Sequence, residues 1–275
     1  IASCLVRSQT CIRDSRYAIM KKKYAIMKNG CAIIKDGCTM MQNGYVNEPI
    51  RGIACRKFFF LVLVLSLALV CRAQERKYST FYYQRATLFE ELPVTSDDII
   101  FLGNSITNGA EWSELFNNKH VKNRGISGDI CMGVYDRLDA VLKGKPAKIF
   151  LLIGINDVSR GTPVDTIVSR IGMIVRKIKT DSPKTKLYLQ SVLPVTDHYN
   201  MFKGHTSRWQ VIPEINKGLV RLAEKEGAAY IDLYSHFIDK ETGKMNTAYT
   251  NDGLHLLGKG YLKWVEIVKP YIGKK

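Results

Sequence analysis

From residue 98 onward, short strand-like runs alternate with helical patterns, and this alternation narrows the fold more than any other feature of the chain. The runs are 98–103 (Asp-Ile-Ile-Phe-Leu-Gly), 121–125 (Val-Lys-Asn-Arg-Gly), 148–154 (Lys-Ile-Phe-Leu-Leu-Ile-Gly), 186–192 (Lys-Leu-Tyr-Leu-Gln-Ser-Val) and 228–232 (Ala-Ala-Tyr-Ile-Asp). An unbroken apolar run bounded by polar or turn residues reads as a strand buried on both faces, as in a parallel sheet. Apolar positions recur at helical spacing in 78–92, 111–116, 130–142, 163–180, 211–227 and 257–272. Strands and helices in alternation predict an α/β fold. Right-handed crossovers restrict it to a doubly wound, three-layer α/β/α sandwich, flavodoxin-like, with about five parallel strands. We expect one domain over residues 74–275.

Such sheets bind ligands and do chemistry at the carboxyl ends of their strands, so the residues just past those ends carry the functional reading. The first run leads into Asn104-Ser105-Ile106-Thr107. Gly103 frees the backbone for a sharp turn that lifts Ser105 out at the strand end. Taken alone, the stretch reads as well as a strand–turn–helix junction with Ser or Asn as the cap. Three later segments fall at the same edge: 123–129 (Asn-Arg-Gly-Ile-Ser-Gly-Asp), 154–157 (Gly-Ile-Asn-Asp) and 252–255 (Asp-Gly-Leu-His). Each is ordinary by itself. Their order along the chain is specific.

In that order, Gly103-Asn104-Ser105-Ile106, the Gly128 region, Gly154-Ile155-Asn156-Asp157 and Asp252-Gly253-Leu254-His255 resemble the four signature blocks of the SGNH, or GDSL-like, hydrolases. The similarity runs over residues 78–272. Residues 190–195 (Gln-Ser-Val-Leu-Pro-Val) look like the branch similar to platelet-activating-factor acetylhydrolase subunits and bacterial carbohydrate acetylesterases. The resemblance implies a serine esterase that needs no cofactor and no metal. The chemistry is consistent with it. A serine hydroxyl attacks only as a base removes its proton; His255 is the natural base for Ser105, and Asp252 stands close enough in sequence to fix its tautomer. The oxyanion then needs preset donors: the Ser105 N–H, the Gly128 N–H and the Asn156 side-chain amide. Alternative roles stay open at two positions, a turn for Gly128 and a helix cap for Asn156. Asp157 reads as structural. Where the family usually has Asp beside the nucleophile, this chain has Asn104; the Asp there is ordinarily a hydrogen-bonding support, so activity should survive with a different local pH dependence. His120, His198, His205 and His236 read as surface or packing residues, and Cys131 as a small core residue.

The expected activity is removal of short acyl groups, acetyl first, from carbohydrates such as sialic acids or plant glycans, through an acyl-enzyme. A lysophospholipase or broad-chain lipid esterase is the alternative within the same chemistry, and a catalytically silent glycan- or lipid-binding protein is the alternative outside it. The loop holding Tyr199, Met201, Phe202 and Trp209 suits either a groove wall or a sugar-stacking platform.

Charge and cysteines divide the chain. Residues 1–73 hold 12 of the 41 Lys and Arg but 3 of the 25 Asp and Glu, so more than half of the net +16 lies there. In the remainder the two signs are interspersed, which argues against a nucleic-acid partner. Six of the seven cysteines precede residue 74, leaving Cys131 no disulfide partner in the body of the chain. Residues 17–44 are four tandem heptads, three of them ending in Asn-Gly or Asp-Gly, a pair that favours turns over a continuous helix. We read residues 1–55 as a low-complexity leader, not a working module. In 56–73, Arg56-Lys57, a hydrophobic run and Cys71-Arg72-Ala73 match a secretory signal peptide. The expected location is therefore secreted or periplasmic, without stable membrane insertion after cleavage; a lipid anchor on Cys71 fits less well beside bulky Val70. The substrate is expected to be a small-molecule or glycan ester, and oligomeric state is not legible.

Overall fold

The computed structural model describes residues 76–273, so the readings of 1–55 and 56–73 lie outside the described residues. Five strands, β1 (Ile99–Gly103), β2 (Val121–Gly125), β3 (Lys148–Leu152), β4 (Lys186–Gln190) and β5 (Ala229–Ile231), form one sheet in the order β2-β1-β3-β4-β5. Every neighbouring pair is parallel. This is the expected flavodoxin-like order, and the chain reverses its winding between β1 and β3, the crevice where such sheets hold ligands.

Helices fill the crossovers. They are α1 (Thr80–Glu91), α2 (Ser105–Asn108), α3 (Trp112–Leu115), α4 (Cys131–Asp136), α5 (Leu138–Leu142), α6 (Ile155–Ser159), α7 (Val164–Asp181), α8 (Lys203–Thr206), α9 (Ile212–Glu226), α10 (Tyr234–Phe237) and α11 (Gly258–Ile272). Ser79 starts α1 by accepting the Tyr82 N–H on its hydroxyl, and Gly227 ends α9 in the left-handed conformation. Helices α1, α4, α5, α7 and α9 pack against one another in a chain of neighbours. None of the described helices is long and apolar enough to cross a membrane.

The central strands are buried throughout, which is why they read as continuous apolar runs. Phe101, Phe150 and Tyr188 occupy matching positions on β1, β3 and β4, and their rings stack at 4.9 and 4.6 Å. Trp112 extends the stack at 3.9 Å, while Trp264 of α11 meets Phe101 edge-on and donates its indole N–H to Gln190 Oε1 at 2.7 Å. Each such side chain contributes about 1.5–3 kcal/mol by leaving water. The C-terminal helix is thereby fastened across the strands that end in the candidate site.

One element departs from expectation. The helical pattern over 130–142 is two helices, broken at Arg137. The break coincides with a side chain turned inward: Arg137 Nε donates to Asp129 Oδ2 at 2.8 Å and Nη2 to the Gly103 carbonyl at 3.0 Å. A charged residue that is only 5% exposed needs such partners. Periodicity alone cannot reveal them, because both lie outside the helix.

Candidate active site

Asn104 caps α2, its Oδ1 accepting the Ile106 N–H at 3.0 Å, so Ser105 becomes the first helical residue beyond β1. The amide thus supplies the local hydrogen bond a carboxylate would make at this position. As the first residue of a helix, Ser105 has an N–H without an intrahelical acceptor.

The Ser105 hydroxyl lies 3.0 Å from His255 Nε2, and His255 Nδ1 lies 2.7 Å from Asp252 Oδ2. The other Asp252 oxygen accepts the backbone N–H groups of Leu254 and His255, both at 2.8 Å. Burial pushes the Asp252 carboxyl up, but those backbone donors and the His255 ring outweigh it and hold it below the usual carboxylate range. The segment carrying the pair is pinned at Gly253. Its φ is +89°, and a Cβ there would collide with the Thr196 carbonyl oxygen; the Gly253 carbonyl in turn accepts the Thr196 N–H at 2.9 Å.

The segment after β2 is tied to α2, the helix that begins at Ser105. Ser127 donates to Asn108 Oδ1 in α2 at 3.1 Å. Gly128 has φ +79°, with nothing within 4 Å of where a Cβ would stand, so the backbone conformation, not crowding by protein, favours glycine here. The carbonyl of Asp129 accepts one Asn156 amide hydrogen at 2.7 Å, which ties the Gly128 turn to the start of α6. Asp157 is fully buried, its Oδ2 accepting the Cys131 N–H and its Oδ1 facing Arg170 at 3.3 Å. It braces the scaffold. Burial first, then Asp157, pushes the Cys131 thiol well above its ordinary range, so it stays protonated and is no rival nucleophile at neutral pH.

Two side chains of the loop after β4 stand in the site: His205, which the sequence did not single out for it, and Phe202, read there only as part of a groove wall or sugar platform. His205 Nε2 lies 2.9 Å from Asn156 Oδ1, which corrects its reading as a surface or packing residue. Phe202, in the left-handed region at φ 47°, sets its ring edge-on to His255 at 5.1 Å between centroids. Both belong to the excursion between β4 and α9, which has no periodicity to place it. Among the other histidines, His120 faces Asp98 at 3.4 Å and His198 packs edge-on against Tyr199. No group of three His, Cys, Asp or Glu among the described residues is arranged to hold a metal.

A hydroxyl touching an imidazole whose far nitrogen meets a carboxylate is an arrangement suited to acyl transfer. The profile of the GDSL-like lipase/acylhydrolase family matches residues 101–263, a span that includes every residue of this cluster. The chain belongs to that family. It is a carboxylic ester hydrolase. Human platelet-activating factor acetylhydrolase IB subunit alpha2 is 28% identical over 179 residues, covering 63% of this chain and 73% of the human one. A GDSL-like lipase from Bacteroides thetaiotaomicron is 26% identical with a TM-score of 0.59, covering 70% of this chain and 96% of its own. The acetylxylan esterase Axe2 of Geobacillus stearothermophilus shares the fold, with a TM-score of 0.54 at 18% identity over 66% of this chain and 96% of its own.

Proposed function

We propose that this acylhydrolase is an exported serine esterase that removes short acyl groups, acetyl first, from carbohydrates. The observation that carries the reading is the 3.0 Å contact between Ser105 Oγ and His255 Nε2, with Asp252 behind the ring. Ser105 attacks the ester carbonyl as His255 takes its proton on Nε2; Asp252 keeps the other ring hydrogen on Nδ1. Negative charge on the former carbonyl oxygen is met by the N–H groups of Ser105 and Gly128 and by the Asn156 amide. His255 then protonates the departing alcohol, and an acyl-Ser105 ester remains. Water, deprotonated by the same ring, releases the acid and restores the hydroxyl.

A short acyl group is supported by the chemistry of the surroundings. The side chains linked to the oxyanion side, Asn108, Ser127, Asn156 and His205, are polar. A long chain gains about 0.8 kcal/mol per buried methylene only against apolar walls. The human relative is by name an acetylhydrolase. A carbohydrate carrier is supported by a cavity of about 330 Å³ lined by Thr196, Asp197, His198, Asp239, Glu241 and Lys244 among others, polar groups suited to sugar hydroxyls. Thr196 links that cavity to the His255 segment. Export rests on the signal-like residues 56–73.

A lipid esterase is the second reading, favoured by Phe202, which is 41% exposed beside His255, and by its neighbour in sequence Met201, 48% exposed. Hydrolysis of p-nitrophenyl esters from acetate to octanoate separates the two. We expect rates that fall steeply beyond acetate and vanish in Ser105→Ala, and acetate release from acetylated glycans. Rates that rise with chain length favour the lipid reading, and full activity in Ser105→Ala contradicts both.

A further inference from the structure

The hydrogen bonds around Asn156 leave one consistent assignment of donors and acceptors. The Asp129 carbonyl can only accept, so the Asn156 atom 2.7 Å from it is the amide nitrogen. The Asn156 atom 2.9 Å from His205 Nε2 is therefore the oxygen, which can only accept. His205 must carry its proton on Nε2. Burial, joined by the nearby His255, pushes the His205 pKa down, so the ring is neutral at neutral pH with its single hydrogen on that nitrogen.

Rotating the Asn156 amide by half a turn would put its oxygen where the developing oxyanion needs a donor, turning an attraction into a repulsion. Two partners oppose that rotation. The Asp129 carbonyl holds the nitrogen end, and the His205 N–H holds the oxygen end. Asn156 is only 8% exposed, so solvent is a poor substitute for either partner. We propose that His205 is a positioning residue for the acyl-transfer step, holding the Asn156 amide with its second N–H turned toward the oxyanion. This role rests on the reading of Ser105 as nucleophile and Asn156 as an oxyanion donor. His205 acts through Asn156 and touches no reacting atom. It is carried on α8, which packs against α6, the helix that carries Asn156. The loop between β4 and α9 therefore completes the oxyanion side of the site while its Phe202 flanks the base.

The test is steady-state hydrolysis of p-nitrophenyl acetate by the full chain and by His205→Ala, His205→Gln, Asn156→Ala and the Asn156→Ala/His205→Ala double variant. Thermal melts confirm that each is folded. A glutamine amide nitrogen reaches about where the imidazole Nε2 stands and can donate the same bond. We expect His205→Ala to lower kcat by about tenfold or more with KM within about twofold, a part of the ~10²–10³ that losing an oxyanion donor costs. His205→Gln should recover at least half of the wild-type kcat. The double variant should be no slower than Asn156→Ala alone, because the histidine has nothing left to position. A kcat for His205→Ala within about twofold of wild type overturns the proposal, as do losses that multiply in the double variant or a glutamine no better than alanine. If His205→Ala fails to fold, His205→Gln and its combination with Asn156→Ala decide the matter. Full activity in Ser105→Ala or Asn156→Ala would instead count against the underlying catalytic reading.

Discussion

Asp129 and Asp252 both lie in segments that build the site, yet their environments push them in opposite directions. Burial drives the Asp129 carboxyl up, to about 6, against the pull of Arg137. Hydrogen bonds hold Asp252 down despite its burial. An unfolded carboxyl titrates near pH 4, so the folded protein holds the Asp129 proton more tightly than the unfolded chain does. Stability linked to Asp129 is then greatest below about pH 4 and is lost as pH rises through about 6. Asp252 has the reverse sign: its contribution is present above about pH 4 and is lost as pH falls through its lowered folded value. Asp129→Asn keeps a neutral hydrogen-bonding group beside Arg137 at every pH and has no proton to take up, so its stability does not carry this pH dependence. Thermal melts across this range should show the gap between wild type and Asp129→Asn narrowing as pH rises from 4 to 6. A gap that widens over the range would contradict the sign.

At the scale of elements, the site depends on four connections whose ends are pinned by long-range hydrogen bonds. The clearest is the turn before α11, where Gly253 closes on Thr196. Gly253→Ala places a side chain at φ +89° and against a carbonyl oxygen, a strain of about 1–3 kcal/mol. Relief requires the 252–255 segment to shift. A misplacement of about 1 Å at a reacting group can cost ~10² in rate. We expect kcat to fall at least tenfold while the protein stays folded, measured by ester hydrolysis beside a circular-dichroism melt. The segments that carry Ser105, Gly128, Asn156, Asp252 and His255 were legible because each sits within a few residues of a strand end or the last helix, where glycine and polar residues interrupt apolar runs. His205, and the placement of Phe202 against the His255 ring, were not. Their positions follow from how an aperiodic excursion folds back over α6, a tertiary fact without a local signature. Arg137 was hidden for a related reason: it falls within a stretch of ordinary helical periodicity, and its partners are Asp129 and the distant Gly103 carbonyl.

Across the whole molecule, order in the sheet and position of the site follow from one arrangement. β1 and β3 are buried on both faces, so their apolar runs announced central parallel strands, and the winding reverses between them where Ser105 and Asn156 emerge. The aromatic stack from Trp112 through Phe101 and Phe150 to Tyr188, clamped by Trp264, ties α11 to that centre. Trp264→Ala should lower stability by about 3–5 kcal/mol, read as a lower urea midpoint with an unchanged slope. On this arrangement one hydroxyl, that of Ser105, made reactive by the convergence, carries the acyl group. Peptide-mapping mass spectrometry after treatment with a fluorophosphonate tests it most directly. A single adduct is expected on the peptide containing Ser105, absent in Ser105→Ala and strongly slowed in His255→Ala. An adduct on another residue, or an active esterase that the reagent neither labels nor inhibits, would contradict it.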